Sequence, residues 1–332
     1  MRVLITAPFT ESGLEELRAS GFEVNYHSWL DTGRLHLGGS LFETIRNGNY
    51  DIVIVEGDEI REEIIEQTEL KLIGSVRGSP NNISLQAATA KNIPVIAVPG
   101  RNTIAVAELT IALMLAQARN IVAAERLLKS EFFVDDFKDF GTMYKRLMGF
   151  ELSGRTVGFI GLGQIGYEVA KRLLAFDVEI LVLDPYADSN KVQEVNGRRV
   201  ELDELLKNSD IITLHCPSTD ETRGMLGAKE FQKMKKTTIL INTARASVVD
   251  EHALLDALKK GTIAGAGLDV FSTEPVDSDN EFLELDNVTV MPHMGGNTID
   301  TLERQTRIIV DNILAFARGD MPKNILNPEV YG

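Results

Sequence analysis

The chain has 332 residues, of which 44% are apolar and 25% are charged, and its formal net charge is −15. At about 100–200 residues per domain, this length predicts two domains, and the negative charge argues against a general role on nucleic acid or at a membrane. Cys216 is the only cysteine, which excludes a disulfide framework and a cysteine zinc site and favours a cytoplasmic protein with no bound metal.

The first hundred residues alternate short apolar runs with amphipathic segments, as expected of a small α/β unit with a parallel sheet. The N-terminus enters a strand-like run at once and shows no signal-peptide pattern. The predicted strands are Val3–Thr6, Phe22–His27, Ile52–Val55, Leu72–Val76 and Val95–Ala97. The predicted helices are Glu11–Ser20, Glu59–Thr68 and Ser84–Lys91. Residues 30–40 are predicted to form an irregular loop without an assigned role.

A long helix is predicted over Thr103–Lys129, after the Pro99-Gly100 turn. Its most apolar part contains Glu108 and is too short to span a bilayer, so we expect it to be buried. The aromatic and charged residues 130–150 have two open interpretations. They form either an arm that packs on another subunit or a loop folded on their own domain.

The strongest motif is Gly161-Leu162-Gly163-Gln164-Ile165-Gly166. The apolar run Thr156–Ile160 precedes it, a helical pattern follows it, and a second strand, Glu179–Leu183, ends at Asp184, 18 positions after Gly166. This is a βαβ unit in which the glycines allow a tight turn and let a pyrophosphate approach the helix N-terminus. Asp184 can bond the ribose hydroxyls and would repel a 2′-phosphate, so the motif favours NAD over NADP.

The alternating pattern continues to the C-terminus. Further strands are predicted at Ile211–Leu214, Thr238–Ile241, Ala264–Val270 and Val288–Met291. A last helix is predicted over Asp300–Arg318. Because it is isolated, we expect it to pack back on residues 1–100 and to make the first domain discontinuous.

Three polar residues follow strand ends in the second half of the chain, namely Arg245, Glu274 and His293. Ligands of open α/β sheets bind outside the carboxyl ends of the strands, so these side chains are expected to meet near a nicotinamide. Each also has a structural interpretation, as a surface charge, a loop carboxylate or a capping group. Together they favour catalysis, in which His293 exchanges a proton, Glu274 orients it and Arg245 grips a carboxylate.

At these residues the sequence resembles the D-isomer-specific 2-hydroxyacid dehydrogenase family, over nearly the whole chain. The motifs are the glycine turn, His215-Cys216-Pro217-Ser218-Thr219, Asn242-Thr243-Ala244-Arg245, Gly267-Leu268-Asp269-Val270-Phe271 with Glu274-Pro275, and Pro292-His293-Met294-Gly295-Gly296. The pattern is most similar to the phosphoglycerate dehydrogenase-like branch.

The resemblance implies an α/β fold with two doubly wound parallel-sheet domains. Residues 101–298 would form a Rossmann NAD-binding domain, and residues 1–100 with 299–332 a smaller flavodoxin-like substrate domain. The implied catalytic set is Arg245, Glu274 and His293. The implied cofactor-binding residues are Gly161, Gly163, Gln164, Ile165, Gly166, Asp184, Cys216, Pro217, Thr222, Thr243, Ala244, Asp269, Gly295 and Gly296. The implied substrate-binding residues are Arg77, Gly78, Ser79, Arg245 and His293.

The resemblance further implies a homodimer formed through the cofactor domain. The segment Ser130-Glu131-Phe132-Phe133 departs from the Gly-x-Trp common in the family, which leaves the inter-subunit arm undefined. The chain stops at Gly332 without the regulatory extension of some phosphoglycerate dehydrogenases, so feedback control by that module is not expected.

The implied activity is hydride transfer between NAD(H) and a small 2-hydroxy or 2-oxo acid, with 3-phosphoglycerate as one candidate. Arg77 and Arg101 are candidates for binding a second anionic group such as a phosphate, or are ordinary surface arginines. Alternatives are a glyoxylate or hydroxypyruvate reductase and an NAD-sensing, corepressor-like binding protein. A formate dehydrogenase is disfavoured because Glu274 stands where that branch has glutamine.

Overall fold

The computed structural model describes residues 1–36, 39–130 and 134–332. The chain divides into two units, Met1–Arg101 with Asn297–Gly332, and Asn102–Gly296. The predicted departure at residues 130–133 falls mostly outside the described residues, which omit 131–133.

The described residues form twelve strands, which we number in chain order. They are β1 (Arg2–Ile5), β2 (Glu23–Tyr26), β3 (Ile52–Val55), β4 (Leu72–Ser75), β5 (Val95–Ile96), β6 (Thr156–Ile160), β7 (Glu179–Leu183), β8 (Gly197–Arg199), β9 (Ile211–Leu214), β10 (Ile239–Asn242), β11 (Gly265–Leu268) and β12 (Val288–Val290).

The same residues form fourteen α-helices. They are α1 (Glu11–Ala19), α2 (Trp29–Thr32), α3 (Ser40–Gly48), α4 (Glu62–Gln67), α5 (Leu85–Ala90), α6 (Thr103–Ala118), α7 (Ile121–Lys129), α8 (Phe137–Arg146), α9 (Gln164–Leu173), α10 (Ser189–Glu194), α11 (Leu202–Asn208), α12 (Ala228–Phe231), α13 (Glu251–Lys259) and α14 (Ile299–Ala317). Short 3₁₀ turns occur at Leu174–Phe176, Ala246–Val248, Glu281–Glu284 and Pro328–Tyr331.

The first unit is built on a parallel sheet with strand order β2-β1-β3-β4-β5. This is the flavodoxin-like order of doubly wound folds. The central strand β3 is buried along its whole length, as expected of a parallel strand covered on both faces. Helix α14 buries Ile309, Val310 and Ile313 in the core cluster that also contains Val3 and Leu14. The last helix therefore completes the core of the N-terminal segment.

The second unit has a parallel sheet with strand order β12-β11-β10-β9-β6-β7-β8. Counted from β6, this is the Rossmann order with one further strand at the β12 edge. The predicted strands Thr156–Ile160, Glu179–Leu183 and Ile211–Leu214 are confirmed to the residue. The predicted α/β fold with two doubly wound parallel sheets is therefore confirmed.

Two local predictions were wrong. The helix predicted over Thr103–Lys129 is broken into α6 and α7, which are bent by 62°. The break occurs because Asn120 adopts a left-handed conformation (φ +52°) that ends the α6 ladder. The irregular loop predicted over residues 30–40 is wrong at its ends, where residues 30–32 belong to α2 and Ser40 begins α3, while residues 37–38 lie outside the described residues. Ser28 caps α2 by accepting the N–H of Leu30.

No single helix among the described residues has the length and hydropathy needed to cross a bilayer. The bent pair of α6 and α7 meets those two criteria only when its members are counted together.

Candidate active site

Six strand ends of the second sheet are in register at its carboxyl edge. The paired Cα positions run across the sheet through Leu183, Ile160, Leu214, Asn242, Leu268 and Val290. The predicted cofactor and catalytic residues of this unit lie in the loops that follow these positions or, for Gln164, Ile165 and Gly166, in the first turn of α9. Because ligands of open α/β sheets bind outside this edge, the candidate site lies along this one edge of the sheet.

The glycine turn fits a bound pyrophosphate. Gly161 has φ +93°, and a Cβ there would lie 2.7 Å from the backbone nitrogen of Cys216. A Cβ on Gly166 would lie 2.7 Å from the carbonyl oxygen of Gly161. At Gly163, in contrast, no heavy atom of the described chain lies within 4 Å of the corresponding position. The two outer glycines thus permit close backbone packing, and the middle one leaves an open approach to α9, where Gln164 and Ile165 are the first helical residues.

Asp184 lies directly beside the glycine turn. Its Oδ2 accepts the backbone N–H of Leu162 at 2.8 Å, and its Oδ1 accepts that of Tyr186 at 2.8 Å. The carboxylate is therefore fixed in direction at the end of β7. It stands where the second strand of a dinucleotide-binding unit places its ribose ligand.

The structure brings Glu274 and His293 into direct contact. His293 Nδ1 lies 2.6 Å from Glu274 Oε2, and the second oxygen of Glu274 accepts the backbone N–H of Phe271 at 3.1 Å. The two side chains are 50% and 35% exposed, so the pair faces solvent at the sheet edge. With Nδ1 bonded to the carboxylate, Nε2 is the ring nitrogen that Glu274 does not engage.

Asp269 holds the turn that carries His293. It is buried, and its two oxygens accept the backbone N–H groups of Met294 (2.7 Å) and Gly295 (2.8 Å). A side chain on Gly295 would press on the same carboxylate, since its Cβ would lie 2.9 Å from Asp269 Oδ2. Burial raises the pKa of Asp269, against the opposing effect of these two hydrogen bonds and of nearby His293. His293 itself has φ +57°, an uncommon value for a residue with a side chain.

Arg245 stands apart from the other two catalytic candidates. It follows β10 and is exposed, and its guanidinium donates to the carbonyl of Ala244 at 2.6 Å. No hydrogen bond or ion pair joins it to Glu274 or His293 within the described part of the chain. The three residues share the edge formed by β10, β11 and β12, but only the carboxylate and the imidazole touch.

The loop after β9 contains three more of the predicted cofactor residues. Thr222 donates its hydroxyl to the carbonyl of Pro217 at 2.6 Å and accepts the N–H of Thr219, which closes the loop on itself. Burial raises the pKa of the Cys216 thiol, so the thiol stays protonated at neutral pH. His215, which stacks on Phe159, has a pKa lowered to about 3 by desolvation and is therefore neutral.

Two residues that support this edge were missed by sequence reasoning. Asn242 bonds the backbone of the turn before Arg245, and Thr110 of α6 bonds the hydroxyl of Thr243 at 2.8 Å. Asparagine at a strand end is a recognised turn signal and could have indicated the first. Nothing local in α6 indicates the second.

In the first unit, the predicted substrate loop follows β4. Arg77 donates its backbone N–H to Ser75 Oγ and its guanidinium to Asn81 Oδ1 at 3.2 Å. Gly78 lies against Pro99, whose Cα would be 3.1 Å from an added Cβ, and Ser79 is exposed.

Arg101 does not match the hypothesis of a free anion-binding arginine. Its guanidinium forms a 2.6 Å ion pair with Glu56, whose other oxygen accepts from the indole of Trp29. The side chains of Arg101 and Glu56 are only 18% and 19% exposed. Arg101 also bonds Gln305 of α14. The guanidinium charge of Arg101 is therefore already paired within the first unit.

Within the described residues, no group of three or more histidine, cysteine, aspartate or glutamate side chains is placed to hold a metal ion. The fold and the site together define a dinucleotide-binding α/β protein with a histidine–carboxylate pair at the edge of its Rossmann sheet.

Comparisons with known proteins narrow this class. Residues 111–295 match the family model described as "D-isomer specific 2-hydroxyacid dehydrogenase, NAD binding domain". The chain belongs to the D-isomer specific 2-hydroxyacid dehydrogenase family, and its second unit carries the family's NAD-binding domain.

Relatives in this family have different names. The chain is 38% identical over 330 residues to a D-3-phosphoglycerate dehydrogenase of Archaeoglobus fulgidus, covering 98% of this chain but 59% of that protein. It therefore spans less than two thirds of the length of this relative. It is 37% identical to a glyoxylate reductase of Thermococcus litoralis, covering 99% of this chain and 97% of the reductase.

Solved structures agree on the fold. The crystal structure of the TT0316 protein from Thermus thermophilus superposes with a TM-score of 0.86 at 33% identity, covering 98% of this chain and 100% of that one. The apo structure of D-lactate dehydrogenase from Escherichia coli gives a TM-score of 0.80 at 27% identity, with 98% and 100% covered.

Proposed function

We propose that this chain is an NAD-dependent dehydrogenase that interconverts a small 2-oxo acid and the D-2-hydroxy acid. The observation that carries the proposal is the 2.6 Å bond between His293 Nδ1 and Glu274 Oε2, on the same sheet edge as the glycine turn. A histidine held this way beside a dinucleotide site is suited to exchanging a proton with a hydroxyl or carbonyl oxygen.

The residues of the second unit fit NAD. The open position at Gly163 suits a pyrophosphate at the N-terminus of α9, and Asp184 suits the ribose. When bound, NAD accepts or supplies the hydride through its nicotinamide ring. We assign to its binding the residues named from the resemblance, which are Gly161, Gly163, Gln164, Ile165, Gly166, Asp184, Cys216, Pro217, Thr222, Thr243, Ala244, Asp269, Gly295 and Gly296.

Proton transfer is assigned to His293. In the reducing direction, the imidazolium donates the proton from Nε2 to the substrate oxygen, and in oxidation the neutral ring accepts it there. The carboxylate of Glu274 stabilises the charged ring through Nδ1, and Asp269 adds a second negative charge nearby. The 2.6 Å bond also fixes the direction in which Nε2 points.

Substrate binding is assigned to Arg245, with Arg77, Gly78 and Ser79 of the first unit contributing. The guanidinium of Arg245 is exposed, and in the described structure its hydrogen-bond partner is the carbonyl of Ala244. It can turn a planar pair of donors to a carboxylate, which is the geometry that arginine recognises best. In this assignment the first unit is the substrate domain and the second is the cofactor domain.

The experiment is a spectrophotometric measurement of NADH oxidation with glyoxylate, hydroxypyruvate and 3-phosphohydroxypyruvate. The relatives point to both kinds of substrate, so the panel contains phosphorylated and unphosphorylated acids. We expect turnover with at least one acid, and a nearly complete loss in His293→Asn. Tight NADH binding without turnover of any 2-oxo acid would instead favour an NAD-sensing protein.

We further propose a cytoplasmic homodimer. On α8 the side chains Phe137, Phe140 and Tyr144 form one row with ring centroids about 6 Å apart, and Phe137 is 90% exposed. Exposed apolar patches of this kind mark contact surfaces, and the family usually pairs through its cofactor domain. Light scattering should give twice the chain mass, and Phe137→Glu should yield monomers. The single cysteine supports the location.

A further inference from the structure

The turn between β10 and Arg245 is held by a buried amide. Asn242 is 2% exposed, and its side chain bonds the backbone in two opposite senses. Oδ1 accepts the N–H of Ala244 at 3.0 Å, and Nδ2 donates to the carbonyl of Arg245 at 3.0 Å. Only a side-chain amide has both a donor and an acceptor at this reach. Neither aspartate nor leucine can make both bonds.

The turn is also held from behind, by α6. Thr110 is fully buried and donates its single hydroxyl proton to the carbonyl of Val106 at 2.7 Å. Its hydroxyl therefore accepts from Thr243 in the 2.8 Å contact between the two oxygens. The backbone on either side of Ala244 is thus anchored to a strand end and to a helix.

Arg245 depends on this anchoring for its direction. Its side chain is exposed and bonds only the carbonyl of the adjacent Ala244 among the described residues, so no neighbouring side chain orients it. A two-point grip on a carboxylate needs a defined approach, and a misplacement of about 1 Å can cost about 100-fold in rate.

We infer that Asn242 and Thr110 are positioning residues that set the direction in which Arg245 leaves the sheet. The inference rests on the proposed function insofar as Arg245 binds the substrate carboxylate. The anchoring itself is a property of the fold and can be measured without any substrate.

The kinetic test uses Asn242→Ala with glyoxylate as the probe acid, or hydroxypyruvate if that is the better substrate. We expect kcat/KM to fall by about 10–100-fold. In an Arg245→Ala background, the same change should cost less than about threefold, because the two residues act as one unit. An equal loss in both backgrounds, or no loss in the wild-type background, would overturn the inference.

Matched controls come from the same unit. Asn287 is a second asparagine whose Nδ2 donates to main-chain carbonyls, those of Leu258 and Ala264, so Asn287→Ala should leave kcat/KM within about twofold. Thr238 is fully buried and donates to the carbonyl of Ser209 at the other end of β10. Thr238→Val is thus the control for Thr110→Val, and Thr110→Ser should restore the activity that Thr110→Val loses.

Amide hydrogen exchange measures the anchoring itself. Exchange of residues 243–248 should accelerate by about tenfold or more in Asn242→Ala and stay at the wild-type rate in Asn287→Ala. Unchanged exchange would overturn the inference even if the enzyme were active. If wild type turns over none of the acids, the proposed function fails and the exchange data alone decide the inference. If Asn242→Ala does not fold, the Thr110 variants carry both measurements.

Discussion

Replacing Glu274 with glutamine tests the central pair most directly. Glu274→Gln preserves the shape but removes the charge 2.6 Å from His293 Nδ1. Two unit charges about 4 Å apart interact by about 1 kcal/mol in water and about 4 kcal/mol near a protein surface. Because the two side chains are 50% and 35% exposed, we take the lower part of this range, which corresponds to a loss of about fivefold to tenfold in kcat/KM.

The direction of the effect follows from the charge on the His293 ring during proton transfer. The ring carries positive charge while the proton passes between Nε2 and the substrate oxygen, and the Glu274 carboxylate stabilises that charge through Nδ1. Removing the carboxylate charge should therefore lower kcat/KM in both directions, because reduction and oxidation pass through the same transition state. The Asp269 carboxylate remains and limits the loss.

The assay is kcat/KM at pH 7 in both directions, with NADH or NAD⁺ saturating. Glutamine has one acceptor oxygen for the two N–H groups that Glu274 now bonds, at His293 and Phe271, so some uniform loss of rate is also expected. Glu281→Gln is the control, because Glu281 pairs with Lys259 on the surface of the same unit. A loss of kcat/KM no larger than that in Glu281→Gln would refute the role of the Glu274 charge.

Four further predictions concern the cofactor, the substrate, the folding free energy and the stability in acid. Asp184→Asn should narrow the preference for NADH over NADPH. It should lower kcat/KM for NADH less than Asp184→Ala does, because the amide oxygen can still accept the N–H of Leu162. A wild-type preference for NADPH would contradict the assignment. Arg77→Ala should raise KM for 3-phosphohydroxypyruvate more than for glyoxylate, and equal kinetic losses for both acids would exclude a selective role. Arg101→Ala should cost about 3 kcal/mol of folding free energy because it removes the cationic partner of the Glu56 carboxylate, and an unchanged denaturation midpoint would argue against the pairing. His215 has a folded pKa of about 3 against an unfolded value of about 6.5, so its stabilising contribution is present above pH 6.5 and is lost as the pH falls towards 3. Between pH 7 and pH 5, wild type should lose about 2 kcal/mol more than His215→Gln in urea unfolding, and parallel losses would show that His215 does not stay neutral in the folded state.

The sequence by itself determined the elements and the chemistry of the candidate residues. Short apolar runs such as Ile52–Val55 and Ile211–Leu214 are typical of parallel strands that are buried on both faces, and both strands form at the predicted residues. The glycine turn with Asp184 specifies a dinucleotide-binding βαβ unit, because Gly161 and Gly166 permit close backbone packing and Gly163 leaves the approach to α9 open. The three polar residues after strand ends were found for the same reason, since position relative to a strand is a local property.

Local signals failed where a distant contact or a single backbone angle decided the outcome. The helix predicted over Thr103–Lys129 has good periodicity on both sides of its break, and only the left-handed conformation of Asn120 divides it. From the sequence alone, Arg101 could be a free cation. In the structure its guanidinium is paired within the first unit, with Glu56 in the loop after β3 and with Gln305 of α14.

Only the tertiary structure decided which strand ends are neighbours. The register of β10, β11 and β12 places the loops of Arg245, Glu274 and His293 at one edge, and it lets one carboxylate reach one imidazole while the arginine stays apart. The hydrogen bond between Thr110 and Thr243, beside Arg245, joins residues 133 positions apart. The periodicity and propensity of the sequence do not predict such a hydrogen bond, because Thr110 fits its helix and Thr243 fits its turn equally well without it.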